Sequence, residues 1–171
     1  MHRRALILAG LAYPLVGRAQ QSCGLPTPED IEGPFYKPGA PLKASLVEAN
    51  STAEKLIVTG LVLSMSACRP LAGVKLDFWH ANDKGEYDAL GFRYRGIVET
   101  DAQGRYRLET NLPPPYMGRP RHIHVKTQTR GGPLLTTQLY FPGEARGADR
   151  SLIVKPGPAG PVRTVTYDFV L

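Results

Sequence analysis

Along most of the chain, short runs of alternating apolar and polar residues are separated by clusters of Gly, Pro, Asn and Asp. A period of two sends successive side chains to opposite faces of an extended strand, so such runs are strand signals. They predict strands over residues 55–63, 74–81, 96–100, 105–110, 122–129, 134–141 and 162–171. The last run is the cleanest, with Val165, Tyr167, Phe169 and Leu171 on one face. Asp101-Ala102-Gln103-Gly104 predicts a hairpin turn between two of the runs. Before them, Thr27 reads as an N-cap, with Pro28 at the first helical position, Glu29 and Asp30 in the first turn and Gly33-Pro34 as the stop. That predicts a short capped turn, and no amphipathic helix of useful length follows it. Residues 37–41 and 156–161 read as loops. About seven short strands in one domain of this size predict an all-β fold, an antiparallel β-sandwich or barrel.

The N-terminus adds a compartment. His2, Arg3 and Arg4 precede an apolar run over residues 5–16, and Gly17 and Ala19 occupy the small-residue positions of a cleavage site. Residues 1–19 therefore read as an export signal, by the general secretory or twin-arginine route, leading to the periplasm or the medium. The apolar run is too short for a mature membrane anchor. Residues 20–171 form the predicted mature domain. Of the 21 Lys and Arg in the chain three lie in the signal, so 18 basic residues face 15 acidic ones. An exported chain with that small excess does not fit nucleic acid as a partner, and it is compatible with a small anionic ligand. The two cysteines, Cys23 and Cys68, form an even count in an exported chain and predict a disulfide.

The chemistry concentrates in residues 113–138. With His2 in the signal, three histidines remain, and two of them make His122-Ile123-His124. In a strand both imidazoles face one way, which is a ligand geometry for iron, copper or zinc. Tyr116, Arg119 and Gln138 are the candidate neighbours. Three prolines stiffen the approach to Tyr116, and Pro120 biases Arg119 toward an extended backbone. Phenols beside imidazoles suit hard ferric iron better than zinc. Spacing does not choose a second phenol among eight tyrosines, but Tyr87, in an Asn/Asp/Gly turn after a predicted strand, is the candidate by context.

These stretches, taken in order, resemble the intradiol ring-cleavage dioxygenases. The resemblance runs through Glu32-Gly33-Pro34-Phe35-Tyr36, then Pro70 to Val74, then Trp79-His80-Ala81-Asn82 with Gly85-Glu86-Tyr87. It continues through Thr100-Asp101, Gly104-Arg105-Tyr106, Pro115-Tyr116, Gly118 to His124 and Leu135 to Phe141. It implies a non-haem Fe(III) enzyme that opens a catechol between its hydroxylated carbons with O2, giving a cis,cis-muconate type diacid. By the same resemblance Tyr87, Tyr116, His122 and His124 hold the iron, Tyr116 and His124 axially. Arg119 stabilises the anionic ring, Tyr116 is the phenolate released when substrate chelates, and Gln138 lines the pocket. Only five residues separate Tyr116 from His122, fewer than in larger members, and the N-terminal helical dimerisation region of the catechol 1,2-dioxygenases has no counterpart.

Rival chemistries fit less well. A cupin-like site needs a glutamate four or five residues after the second histidine, where Gln128 and Thr129 stand, and a facial-triad oxygenase needs an acid where His124 stands. The rival of another class is a secreted binding module for carbohydrate or protein, with no catalytic iron. The sequence names neither the catechol nor the oligomeric state, and a homo-oligomer is compatible with it.

Overall fold

The computed structural model describes residues 23–145 and 147–171; the signal read at 1–19 lies outside them. Among the described residues the chain forms a β-sandwich. The strands are β1 (Lys55–Leu63), β2 (Lys75–Trp79), β3 (Arg95–Glu99), β4 (Arg105–Asn111), β5 (His122–Gln128), β6 (Leu134–Tyr140), β7 (Lys155–Pro156), β8 (Arg163–Thr166) and β9 (Phe169–Val170). One sheet has the order β4-β1-β8-β7, with β9 also pairing β1, and the other has the order β3-β2-β5-β6. The inward residues of both sheets, among them Val58, Leu76, Phe78, Leu108, Ile123, Val125, Leu139 and Phe169, form one fully buried core. Burying each such side chain contributes about 1.5–3 kcal/mol, enough to fix which face of each strand turns inward.

The alternating runs become strands within a residue or two of their expected ends. Four expectations do not hold. The 101–104 turn forms, with Gly104 N–H donating to Asp101 O at 2.9 Å, but it joins β3 in one sheet to β4 in the other and is not a hairpin. Thr100 causes the switch, because its hydroxyl donates to Leu71 O and accepts from Val74 N–H, ending β3 against the start of β2. The 162–171 run divides into β8 and β9, both parallel to β1, because the Asp168 carboxylate accepts from Leu61 N–H at 2.8 Å and takes the place of a strand carbonyl. Gly60 permits this, since a Cβ there would collide with Tyr167 O. Pro156, expected in a loop, belongs to the two-residue β7.

The fourth departure decides where the site lies. Residues 27–33 form no helical turn. Thr27 does not cap a helix: its N–H donates to Val170 O and its hydroxyl accepts from Val170 N–H at 2.9 Å. From there Asp30 N–H donates to Thr136 O, and Thr137 Oγ1 donates to Pro28 O. Residues 27–36 thus form a strap over the outer face of the four-stranded sheet. A disulfide between Cys23 and Cys68, with Cα atoms 5.1 Å apart, ties down the chain just before the strap.

Candidate metal centre

Strand register assembles the site. Trp79 pairs with Arg95 on one side and His124 on the other, and His124 pairs with Gln138, so Arg95, Trp79, His124 and Gln138 form one row across four strands. His122 and Tyr140 form the adjacent pair. These side chains share the outer face, opposite Ile123 and Val125. The strap buries them: His122 is 3% exposed and His124 2%.

The loop after β2 brings in the first phenol. Asn82 Oδ1 accepts from Lys84 and Glu86 N–H, and the Asp88 carboxylate accepts from Leu90, Gly91 and Arg93 N–H. Those backbone donors hold the Asp88 carboxyl down to about 2. Arg95 Nε fastens the same loop by donating to Asp88 O at 3.0 Å. Between these two knots Tyr87 reaches over the sheet, its hydroxyl 3.2 Å from His122 Nε2 and 3.0 Å from His124 Nε2.

The second phenol sits on a tight reversal. Tyr116 and Arg119 exchange backbone hydrogen bonds of 3.2 and 2.7 Å around Met117 and Gly118, both with positive φ. A two-residue turn of this kind needs left-handed backbone at both central positions, and Met117 holds it without being glycine. The reversal sends Tyr116 and Arg119 toward the same cavity. The Tyr116 and Tyr87 rings meet edge to face at 5.4 Å, and Phe35 of the strap stacks on Tyr87 at 4.4 Å.

The cavity, about 380 Å³, is walled by Ile31, Pro34, Phe35, Tyr87, Tyr116, Arg119 and His124. It is largely apolar, with two phenols, an imidazole and one cation converging on it. A larger cavity of about 510 Å³ beside Cys23 and Tyr167 contains none of these groups. Arg119 Nη2 donates to Gln138 Oε1 at 2.8 Å and Tyr140 Oη at 3.2 Å, and Gln138 Nε2 donates to Ile31 O.

Electrostatics distinguish candidate ligands from structural groups. His122 Nδ1 faces Pro120 O at 2.7 Å, which fixes Nδ1 as the protonated nitrogen and leaves Nε2 with a free lone pair toward Tyr87. Burial depresses both imidazoles, His124 to about 2, with the charges of His122 and Arg119 adding to the effect there. Neutral imidazole is the form that binds a metal. Burial also pushes the Tyr87 phenol up to about 12, so it ionises at neutral pH only beside added positive charge. His80, the third histidine, lies between the sheets with Nδ1 on Ala81 O and Nε2 on Thr110 Oγ1, and it has no nitrogen to spare.

The three converging atoms fit a shared metal ion. Donors about 2.1 Å from one ion and at right angles to each other stand about 3 Å apart, and the Tyr87 hydroxyl lies 3.0 and 3.2 Å from the two Nε2 atoms. Among the described residues no cluster of three or more His, Cys, Asp or Glu is placed to hold a metal, so the remaining protein donors at the imidazole pair are phenols. A family model described as a dioxygenase matches residues 31–171. The chain belongs to the intradiol ring-cleavage dioxygenases. It is an enzyme, an oxidoreductase, which sets aside the reading as a binding module. It is 32% identical to a chlorocatechol 1,2-dioxygenase of Pseudomonas putida over 91% of this chain and 71% of that one. Among solved structures it is similar to the dioxygenase domain of a dioxygenase carbohydrate-binding protein fusion from Streptomyces sp. SirexAA-E, with 49% identity, a TM-score of 0.80, and 85% of this chain and 97% of that chain covered. The 3-chlorocatechol 1,2-dioxygenase of Rhodococcus opacus 1CP superposes with a TM-score of 0.76 at 29% identity, covering 84% of this chain and 71% of its own.

As an intradiol dioxygenase, the chain has each sequence-predicted site residue around one pocket or directly behind it. Four more residues build the site without having been singled out as site residues by sequence. Phe35 packs on a phenol, Trp79 stacks on His124 at 4.7 Å, and Tyr140 and Asp30 support Arg119. The available signal was alternation: Tyr140 is two residues from Gln138 and so shares its face.

Proposed function

We propose that this intradiol dioxygenase holds one ferric ion on Tyr87, Tyr116, His122 and His124 and cleaves a catechol-type diol between its hydroxylated carbons, using O2 and giving a cis,cis-muconate type diacid. The observation that supports it is the Tyr87 hydroxyl within 3.2 Å of both imidazole Nε2 atoms, each imidazole kept neutral by burial. A bound ferric ion supplies the positive charge that ionises buried phenols and chelated catechol, and makes the ring electron-rich enough to react with O2.

The chain's own groups divide the remaining work. Tyr87 is clamped under Phe35 and between the knots at Asn82 and Asp88, so it is the fixed phenol. Tyr116, half-buried at the base of a two-residue turn, is the freer one and the one placed to take a proton from an incoming catechol hydroxyl. Arg119 holds a fixed cation at the pocket wall, where negative charge develops on the ring. Ile31, Pro34 and Phe35 of the strap exclude water on one side and offer a flat apolar surface to an aromatic ring.

The test is direct. Iron-loaded protein is expected to show a visible tyrosinate-to-iron band that shifts when catechol is added under nitrogen, and to consume one O2 per diacid formed. Protein that carries full iron with no such band overturns the ligand set, and banded protein that yields no diacid overturns the reaction. We further read residues 1–19 as an export signal, for which a mature chain beginning at Gln20 is the expected result of N-terminal sequencing.

A further inference from the structure

Arg119 is governed by a polar relay that ends on the strap. Its Nη2 donates to Gln138 Oε1 and Tyr140 Oη, which leaves Nη1, 3.5 Å from His122 Nε2, as the donor on the imidazole side. The Tyr140 hydroxyl has one proton and two acceptors within reach: Asp30 Oδ2 at 2.8 Å and Gln138 Oε1 at 3.2 Å. The two choices have different consequences. If the proton goes to Asp30, Tyr140 turns a lone pair to Arg119 and Gln138 Oε1 remains free for the guanidinium. If it goes to Gln138, that oxygen must accept from both Tyr140 and Arg119, and the hydroxyl proton turns toward the guanidinium side.

We propose that Asp30 is a positioning residue for the ring-stabilising cation: its carboxylate accepts the hydrogen bond of the Tyr140 hydroxyl, and thereby sets Tyr140 and Gln138 as acceptors that lock Arg119 toward the pocket. The preference for Asp30 follows from charge and distance, since a bond to a carboxylate is stronger than one to an amide and this one is shorter. The carboxylate is itself held, with Ile31 N–H donating to Oδ1 at 2.6 Å. Tyr140 is 3% exposed, and with Asp30 and Arg119 it lines a second cavity of about 370 Å³. The strap therefore roofs the pocket and also orients its cation.

The inference rests on the proposed intradiol chemistry, and the test separates the two. Full-length iron-loaded wild type, Asp30→Ala, Asp30→Glu, Tyr140→Phe, Arg119→Ala and Asp30→Ala/Tyr140→Phe are compared. The readouts are iron content, thermal unfolding, kcat and KM for catechol by oxygen uptake, and anaerobic binding of 4-nitrocatechol, whose visible spectrum reports its ionisation. Removing a partner that orients a charged hydrogen bond changes rate by about tenfold. Asp30→Ala is expected to keep its iron, lose about tenfold in kcat and bind nitrocatechol less tightly with less of it ionised. Asp30→Glu should restore most of both. The loss should vanish in the Tyr140→Phe background, because without the hydroxyl Asp30 has no hydrogen bond to accept. Asp30→Ala within twofold of wild type, or the same loss with and without the Tyr140 hydroxyl, overturns the positioning role alone. Wild type that binds iron and opens no ring overturns the proposed chemistry, and this inference with it.

Discussion

On the five-stranded sheet the outward side chains of β4, Arg105 and Arg107, stand in solvent, and Arg107 pairs with Glu109 at 2.7 Å with both side chains about half exposed. On the four-stranded sheet the outward Trp79, His124, Gln138 and Tyr140 lie under the strap. The inner faces of the two sheets are alike, since both feed one apolar core. The difference between the outer faces shows how a sandwich acquires chemistry: one ten-residue stretch laid across one sheet removes water from polar side chains that would otherwise be ordinary surface.

The largest effect should come from the covered face. His122→Ala removes a ligand of the proposed centre and is expected to weaken iron retention by at least about 100-fold, since loss of a mere supporting partner costs up to that much. Metal analysis after dialysis checks it, and retention equal to wild type would break the comparison. Next is the contrast between the two kinds of buried imidazole. Burial lowers His80 to about 4 in the folded chain, against an ordinary value of 6.5 when unfolded. The unfolded state therefore binds more protons between those values, so this contribution is intact above pH 6.5 and falls away as pH drops to 4, by roughly 3 kcal/mol in all. Denaturant unfolding of His80→Gln should give lower stability at pH 7 and a correspondingly shallower acid slope.

A smaller effect tests the strap. Gly33 has φ +70°, and an added Cβ would rest 3.6 Å from His124 Cε1. Gly33→Ala is expected to reduce stability by about 1–2 kcal/mol through left-handed strain, read as a lowered Tm. The smallest effect belongs to the solvated sheet, where Arg107→Ala should change stability by less than about 0.5 kcal/mol. A larger loss there would mean that this face is also covered by something in solution.

Legibility in the sequence divides along the same line. Alternation placed the strands, and with them the shared face of His122 and His124, because burial enforces a period of two within one segment. The Tyr87 turn was readable as Asn, Asp and Gly capping their own backbone. The 101–104 turn was misread as a hairpin because local turn chemistry does not say which sheet receives the next strand; Thr100 settles that through residues 71 and 74. The strap was misread because Thr27, Pro28, Glu29 and Asp30 carry a helix-start pattern whose hydroxyl and carboxylate are claimed by Val170 and Tyr140, more than a hundred residues away. Asp30 was thus read for its local charge, while its partner came from the far side of the fold.

The disulfide gives the strap a mechanical character. Only Gly24, Leu25 and Pro26 separate Cys23 from the first strap hydrogen bonds at Thr27, so the cover of the pocket is stitched at its leading edge to the turn that follows β1. It cannot peel back from that edge while the stitch holds. Cutting it with a reductant would leave a flap held by hydrogen bonds alone, to Val170, Thr136, Thr137, Gln138 and Tyr140 among others, and the opening of an aromatic pocket would then answer to thiol chemistry at a distance from the ring it encloses.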